Sequence, residues 1–570
     1  MHRAMCYFRL AANTSLRLTR LRVPLIVPIS SNSRRLSSSS IPDNFIITCP
    51  YDDVHIPETD LYNHVFQHFP KYGKKTALID GVTGREYSYN EVQESVVNMA
   101  SGLVRSGMQK GDVLALVSPN SVEFCTMFFS TLAMGGIIST CNPAFTAGEL
   151  AYQFKNSNSK YVATIPSLLP TIQEAASKAG CVEKLILLGD DGGVGEGKNM
   201  ISYQSLVNDS GSRFPHRIGI VSKEDIGVLP YSSGTTGFPK GVMLTHYNVT
   251  ANILQLTHPQ FLDFYAPDSC VLGVLPFYHI YGMVCILCIC FYQGAPLVVL
   301  PKFEPALFLS SLKKYSVTDT FLAPPLVLFL AKHPIVDDYK ISTLRHITCS
   351  AAPLDGELSR QAMNRLGTRI LRQGYGCTEL SPVCHLNPRD VDNLDTIGVP
   401  IQNTQVKIVD VDSGKAVGPH CRGEVTVKGP QVMKGYFSLP AEASSIKDGW
   451  LSTGDLGYYD ENNLFYITDR LKELIKVKGL QVAPAELEAL LLQHPHISDV
   501  AVIGVDDERS GELPRAFVVR SSDELSEQEV EDFVKGQVAE HKQLKGGVKF
   551  IKEIPKSPSG KIQRRLLKNK

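Results

Sequence analysis

Three features of this 570-residue chain predict an α/β protein, with a large N-terminal domain of α/β subdomains plus a small β unit, then a smaller α+β C-terminal domain. From about Thr59, helical patterns alternate with short, continuously apolar, β-branched runs, which is how parallel strands covered on both faces read. Residues 397–470 become rich in strands and turns, as a separate β unit would. Past Asp469-Arg470-Leu471-Lys472 the pattern returns to α+β, which puts a domain junction near residue 470. A length of 570 residues suits about three to five domain-sized units. With 43% apolar and 20% charged residues the chain can build a large core, and neither a disordered polar chain nor a membrane bundle fits.

The first segment has its own logic. Residues 1–40 contain seven Arg and no Lys, Asp or Glu. Arg3, Arg9, Arg17, Arg20 and Arg22 are interleaved with Leu10, Leu16, Leu18, Leu21 and Leu25, and a serine run follows at 37–40. This Arg-rich, Ser-rich, acid-free pattern is that of an organellar transit peptide, so 1–40 is set apart from the fold. The mitochondrial matrix is the expected destination, with the cytoplasm as the alternative. The whole chain has 57 basic and 57 acidic residues; without the first 40 residues, 50 basic face 57 acidic. That body offers no basic surface for nucleic acid.

Strands are expected at 113–117, 136–140, 184–188, 226–229 and 297–300. The stretch 280–300 is uncharged for 21 residues, but Gly282 and the break Gln293-Gly294-Ala295-Pro296 split it. It reads as a buried helix followed by a buried strand rather than a membrane span. Thirteen cysteines lack paired spacing, which favours a reduced compartment, and Cys285, Cys288 and Cys290 read as buried small hydrophobes rather than metal ligands. The Gly-rich stretch 189–198 follows a strand, yet Asp190, Asp191 and Glu196 would repel phosphate, so a surface turn is expected. The β unit should contain strands near 405–409, 423–427, 457–459 and 464–467. The last domain should hold helices from Pro484 and Ser526 and strands at 500–505 and 516–519.

The chemistry starts where the run 226–230 meets Tyr231-Ser232-Ser233-Gly234-Thr235-Thr236-Gly237-Phe238-Pro239-Lys240. Hydroxyls, flexible glycines and a lysine this close together can wrap a phosphate with side-chain and backbone donors. A Walker A loop needs Ser or Thr after its Gly-Lys, whereas Lys240 precedes Gly241-Val242, so the phosphates are held by another scheme.

Residues 232–240 resemble the phosphate loop of the adenylate-forming superfamily, which includes acyl-CoA synthetases, peptide-synthetase adenylation domains and insect luciferases. Five further motifs follow in family order: Leu275-Pro276-Phe277-Tyr278-His279-Ile280-Tyr281-Gly282, Gln373-Gly374-Tyr375-Gly376-Cys377-Thr378-Glu379, Ser452-Thr453-Gly454-Asp455, Asp469-Arg470-Leu471-Lys472, and Pro555-Lys556-Ser557-Pro558-Ser559-Gly560-Lys561. The segment 472–488 is most similar to 4-coumarate:CoA ligases and their luciferase relatives.

The resemblance implies ATP, Mg²⁺ and coenzyme A acting on a small carboxylic acid, with an acyl-adenylate formed first and a thioester second. It divides the chain into a transit segment at 1–40, an N-terminal AMP-binding domain at 41–470 and a mobile C-terminal domain at 473–570. Ser232, Ser233, Gly234, Thr235, Thr236, Gly237 and Lys240 would hold the phosphates, and Gln373, Gly374, Tyr375 and Thr378 the adenine. Glu379 would hold the metal, and Asp455 with Arg470 the ribose. Lys561 would serve adenylation, and rotation about Lys472 would then bring in Lys476 and Gln481. Lys478, Gly479 and Lys302 would contact CoA. His279 would orient the carboxylate, and Tyr281, Cys285, Ser350, Ala351, Pro382 and Val383 would line the acyl pocket. Two departures bear on the acid: Cys285 stands where plant hydroxycinnamate ligases commonly carry serine, and Ser350 stands where glycine is usual. A medium-chain fatty acid is the rival substrate. A luciferase-like monooxygenase and a silent binding protein are the rival classes, and the intact set Lys240, Glu379, Asp455, Arg470 and Lys561 argues against the silent binder.

Overall fold

The computed structural model describes residues 45–189, 199–232, 239–261, 269–389, 391–440, 445–478, 480–557 and 560–568. The transit segment 1–40, the turn at 190–198, Ser233, Gly234, Thr235, Thr236, Gly237 and Gly479 therefore lie outside the described residues.

Two sheets carry the N-terminal α/β region. In the first, Ile226–Val228, Ile137–Cys141, Val113–Val117, Ser159–Thr164, Lys184–Leu187 and Met200–Ser202 lie side by side and parallel. All five residues of Val113–Val117 are buried, as an unbroken apolar run must be when helices cover both faces. In the second, Ile370–Gly376, His346–Cys349, Asp319–Leu322, Val271–Gly273, Leu297–Val299 and Thr76–Asp80 are parallel in that order. Val383–Leu386 extends this sheet antiparallel to Ile370–Gly376.

The uncharged stretch after residue 280 folds as a buried helix and then a strand. Tyr281–Cys288 is π-helical and continues as the α-helix Ile289–Gln293, which ends at Gly294 with φ 76°. Gly282, expected to interrupt this helix, instead lies inside it. A Cβ there would sit 2.3 Å from the Pro276 carbonyl oxygen, so only glycine lets the helix press on the loop before it. Phe291, near the helix end, stacks on Phe129 and meets Phe66 and Phe69 edge-on, which ties its helix to three others. No helix among the described residues is long and apolar enough to cross a membrane.

The β unit is an antiparallel sheet of Gln405–Val409, Gly423–Lys428, Trp450–Tyr459 and Phe465–Arg470, with short edge strands. One of these comes from the other end of the chain: Ile47–Thr48 pairs with Gln405–Val409, Ile47 opposite Val406.

After the turn at 471–473 the chain enters a separate five-stranded sheet. It holds the hairpins Ile475–Val477/Leu480–Val482 and Ile497–Asp507/Gly511–Arg520, with Val548–Phe550 parallel to the last strand. The helices Pro484–Leu491 and Glu527–Lys535 close one face, burying Leu487, Leu491, Val530 and Val534 against Val500, Val502 and Val518. Ser526 caps the second helix in a reciprocal box with Glu529, a contact worth about 1 kcal/mol. The observed architecture is the α/β region, β unit and α+β domain expected from the sequence.

Candidate active site

Strand ends assemble the polar cleft. Ile370–Gly376 delivers Tyr375, whose hydroxyl donates to Asp455 Oδ2 at 2.8 Å. Asp455 and Arg470 are register partners on neighbouring antiparallel strands of the β unit, and Arg470 Nε lies 3.0 Å from Asp455 Oδ1. A buried carboxylate is thereby held by one phenol and one guanidinium. Burial, reinforced by the Asp455 charge, pushes the Tyr375 phenol well up, so it remains a donor at neutral pH. Gly376 must be glycine, because a Cβ would lie 1.9 Å from the Pro382 carbonyl oxygen. Gln373, expected at the adenine, commits its side chain to the protein. Its amide accepts from Leu354 N–H and donates to the carbonyls of Leu354 and Leu394, so it braces two loops around the cleft.

A second chain of contacts links the phosphate-loop lysine to the metal candidate. Ser232 and Lys240 are opposite each other in a short antiparallel pair flanking the undescribed loop residues. Lys240 Nζ lies 4.8 Å from the Tyr436 ring centroid, and the Tyr436 hydroxyl donates to Glu379 Oε1 at 3.0 Å. Glu379 sits in the turn Thr378–Leu380, whose position is fixed by Met433 N–H donating to the Glu379 carbonyl.

Lys561 reaches this cleft from the C-terminal tail. Lys556 bridges to Ile562, and the Lys561 N–H donates to Ser557 Oγ at 3.1 Å, so Lys561 projects from a tight hairpin. Gly560 packs that hairpin against Pro325 and Ala323 of the N-terminal region. Burial lowers the Lys561 ammonium, as does nearby Arg470, while Asp455, Glu473 and Glu379 act in the opposite direction. His279 feels the same lysine: burial first, and the Lys561 charge second, bring its imidazole down to about 4. Its Nδ1 accepts from Tyr281 N–H at 3.3 Å, so the neutral ring carries its proton on Nε2. Arg564, just beyond, anchors the tail to the hinge and to its own domain through Glu473 at 2.8 Å and Glu488 at 2.8 Å.

The residues expected for the second half-reaction are not in the cleft. Lys476 and Gln481 are cross-strand partners on an exposed hairpin, where Lys476 N–H donates to Glu512. Lys478, with φ 50°, is held through its N–H by the Ser510 carbonyl. Lys472 and Lys302 are exposed.

A narrow cavity is lined by Tyr281, whose N–H donates to His279. Tyr281, Cys285, Ser350 and Val383 line it as expected. Ala351 and Pro382 do not: Ala351 is exposed with φ 78°, and Pro382 packs under Gly376. Ser350 donates its hydroxyl to the Gly374 carbonyl, and Tyr281 donates its own to the Thr348 carbonyl, so both brace the wall. The sequence reading missed Asp319, His346 and Arg372, which also line the cavity. Alternation along three parallel strands puts them on one face, while Leu322, Ile347, Cys349 and Leu371 fill the core on the other. Period-two polarity at 346, 348 and 350 was the available signal.

Fold and site together define a two-domain, ATP-handling α/β enzyme that binds a small organic acid. The AMP-binding enzyme model matches residues 65–437, and the model of the AMP-binding enzyme C-terminal domain matches 486–561. A probable 4-coumarate–CoA ligase of Dictyostelium discoideum is 38% identical over 536 residues, 92% of this chain and 97% of the relative. A 4-coumarate–CoA ligase of Petroselinum crispum is 36% identical over 537 residues, with 92% and 97% covered. ATP-bound MatB from Rhodopseudomonas palustris superposes with a TM-score of 0.79 at 28% identity, over 90% of this chain and 98% of that one. The chain belongs to the AMP-binding enzyme family and is an AMP-forming acid:CoA ligase using ATP and CoA.

Proposed function

We propose that the acid is of the 4-coumarate type and that the structure is poised for the first half-reaction. The observation that supports this reading best is the delivery of Lys561 by the C-terminal tail into the cleft of Asp455, Arg470 and Glu379, where its charge acts on His279. Lys240 and the loop residues 232–237 hold the β- and γ-phosphates, and Asp455, aligned by Tyr375 and Arg470, accepts from the ribose hydroxyls. Glu379, a hard carboxylate beside Lys240 and Lys561, suits Mg²⁺, which when bound neutralises phosphate charge. His279 donates from Nε2–H to the acid's carboxylate; an imidazole held near 4 is a weak base, so orientation is its role. A carboxylate oxygen attacks the α-phosphorus as the bond to pyrophosphate breaks, and Lys561 compensates the charge that develops.

The C-terminal domain then turns about Lys472 at the junction between 41–470 and 473–570. Lys561 withdraws, and the hairpin carrying Lys476 and Gln481 replaces it, with Lys478, Gly479 and Lys302 meeting CoA. The thiolate attacks the acyl carbon and AMP leaves. The relatives named as 4-coumarate–CoA ligases support the aromatic acid. The apolar wall of Leu256, Ile289 and Leu386, with Cys285 in place of serine, favours a medium-chain fatty acid as the second reading.

An acid panel scored for pyrophosphate release and thioester formation, with and without O₂, tests this. A higher kcat/KM for medium-chain acids than for hydroxycinnamates would refute the aromatic reading, and CoA-independent, O₂-dependent turnover would favour a monooxygenase. We also propose that residues 1–40 direct mitochondrial import; a reporter fused to residues 1–45 that stayed cytosolic would refute it.

A further inference from the structure

We propose that Tyr436 is a positioning residue for the Mg²⁺–ATP complex, its ring seating Lys240 and its hydroxyl aiming Glu379, so that the two charges are placed as one unit. Tyr436 would act through the roles proposed above for Lys240 at the phosphates and Glu379 at the metal, on which this reading rests.

Three separated stretches of sequence meet at this side chain. Gly435–Tyr436 is a two-residue strand antiparallel to Lys240–Thr245, with Tyr436 opposite Val242 and Gly435 opposite Met243. Flanking bonds fix the register: Lys434 N–H donates to the Met243 carbonyl at 2.9 Å, and Phe437 N–H to the Gly241 carbonyl at 2.8 Å. Lys240 is two residues before Val242 and therefore on the same face of its strand, the diagonal position that aromatic and long side chains reach. Its Nζ lies 4.8 Å from the centroid of the Tyr436 ring, within the range at which the negative face of a ring attracts a cation.

The same side chain donates its hydroxyl to Glu379 Oε1 at 3.0 Å. Its segment also holds the backbone of Glu379, because Met433 N–H donates to the Glu379 carbonyl at 2.9 Å. With one bond at the backbone and one at the carboxylate, the turn Thr378–Leu380 has little freedom to re-aim Glu379. A hydrogen bond behind a metal-binding carboxylate sets its orientation, and such outer partners govern affinity for the ion. Lys434, two residues before Tyr436, ties the segment in turn to Glu224, with Nζ 2.7 Å from Oε2, just ahead of the strand Ile226–Val228.

The test uses the full chain, with Mn²⁺ as a paramagnetic probe of the metal position. Mn²⁺ binding is followed by electron paramagnetic resonance in the presence of a non-hydrolysable ATP analogue, and nucleotide binding by calorimetry. Tyr436→Phe keeps the ring and removes the hydroxyl, and it should weaken Mn²⁺ by about ten- to a hundred-fold. At saturating Mg²⁺ the analogue should bind this variant within about two-fold of wild type, because the cation–π contact survives. Tyr436→Leu removes both groups and should also weaken the analogue, by about three- to thirty-fold. AMP, which lacks the β- and γ-phosphates, should bind both variants as it binds wild type. In the Glu379→Gln background, Tyr436→Phe should add less than about two-fold to the loss of Mn²⁺, since the hydroxyl acts through that carboxylate. Tyr436→Phe, which removes a single oxygen, carries the test if Tyr436→Leu does not fold.

Equal loss of AMP and of the analogue in the variants would make Tyr436 a packing residue and overturn the proposal. A Tyr436→Phe chain that binds Mn²⁺ like wild type, while Glu379→Gln does not, would overturn it and leave the metal assignment intact. Mn²⁺ binding that survives both Glu379→Gln and Tyr436→Phe would overturn the assignment of Glu379 itself, and the role of the hydroxyl with it.

Discussion

Replacing Lys561 by Ala tests whether this arrangement is the one that makes the adenylate. The side chain enters the cleft on a hairpin locked by the Lys556–Ile562 bridge and by Ser557, and it is close enough to Arg470, Asp455, Glu473 and Glu379 for all four charges to act on it. Its deletion leaves the hairpin backbone bonds in place and removes one half-buried cationic donor. By analogy with the loss of a single preorganised donor at a developing charge, the barrier should rise by about 2.7 to 4 kcal/mol, or 10² to 10³ in rate. Lys476 sits on an exposed hairpin in this structure, so Lys476→Ala should spare the first step. The assay separates the steps by supplying synthetic acyl-adenylate with CoA. Lys561→Ala should then form thioester at close to the wild-type rate, whereas Lys476→Ala should not. If Lys561→Ala is as defective from the adenylate as from the free acid, the assignment of the two lysines to two domain arrangements is wrong.

Three further outcomes are expected. Lys472→Pro, at the turn between the β unit and the C-terminal sheet, should keep pyrophosphate release and lose thioester formation, because a fixed φ resists the rotation; equal loss of both would count against it. Gly376→Ala should abolish activity and lower the melting temperature, since a Cβ 1.9 Å from the Pro382 oxygen forces the backbone apart; an unchanged Tm with full kcat would contradict this. Acid should destabilise the fold between pH 6.5 and 4. Burial holds His64, His246 and His279 near 4 and His385 near 3, so the unfolded chain gains four protons that the folded one refuses, while Asp469, raised by burial to about 6, offsets one of them. The net slope is about 4 kcal/mol per pH unit, with stability falling as pH falls, readable by denaturant titration from pH 7 to 4.5.

The local pattern of the chain was enough to determine its class. Unbroken apolar runs such as Val113–Val117 read as doubly covered strands because burial on both faces removes any polar alternation, and Ser526 with Glu529 marks a helix start because a cap is a contact three residues long. The ordered motifs likewise announced Lys240, Glu379, Asp455, Arg470 and Lys561. The tertiary structure decided which of these meet. Lys561 joins Asp455 and His279 only because the tail folds back onto Pro325 and Ala323, and Lys476, in an equally clear motif, is left outside. It also gave the Gln373 side chain bonds to Leu354 and Leu394 and put Ile47–Thr48 at the edge of a sheet whose other strands begin near residue 405. Asp319, His346 and Arg372 show the reason most directly. Each sits in its own strand among polar and apolar neighbours, and whole helices separate the three, so no window of sequence contains two of them. Strand register, a long-range property set by packing, puts all three on one face and brings them into the lining of one cavity.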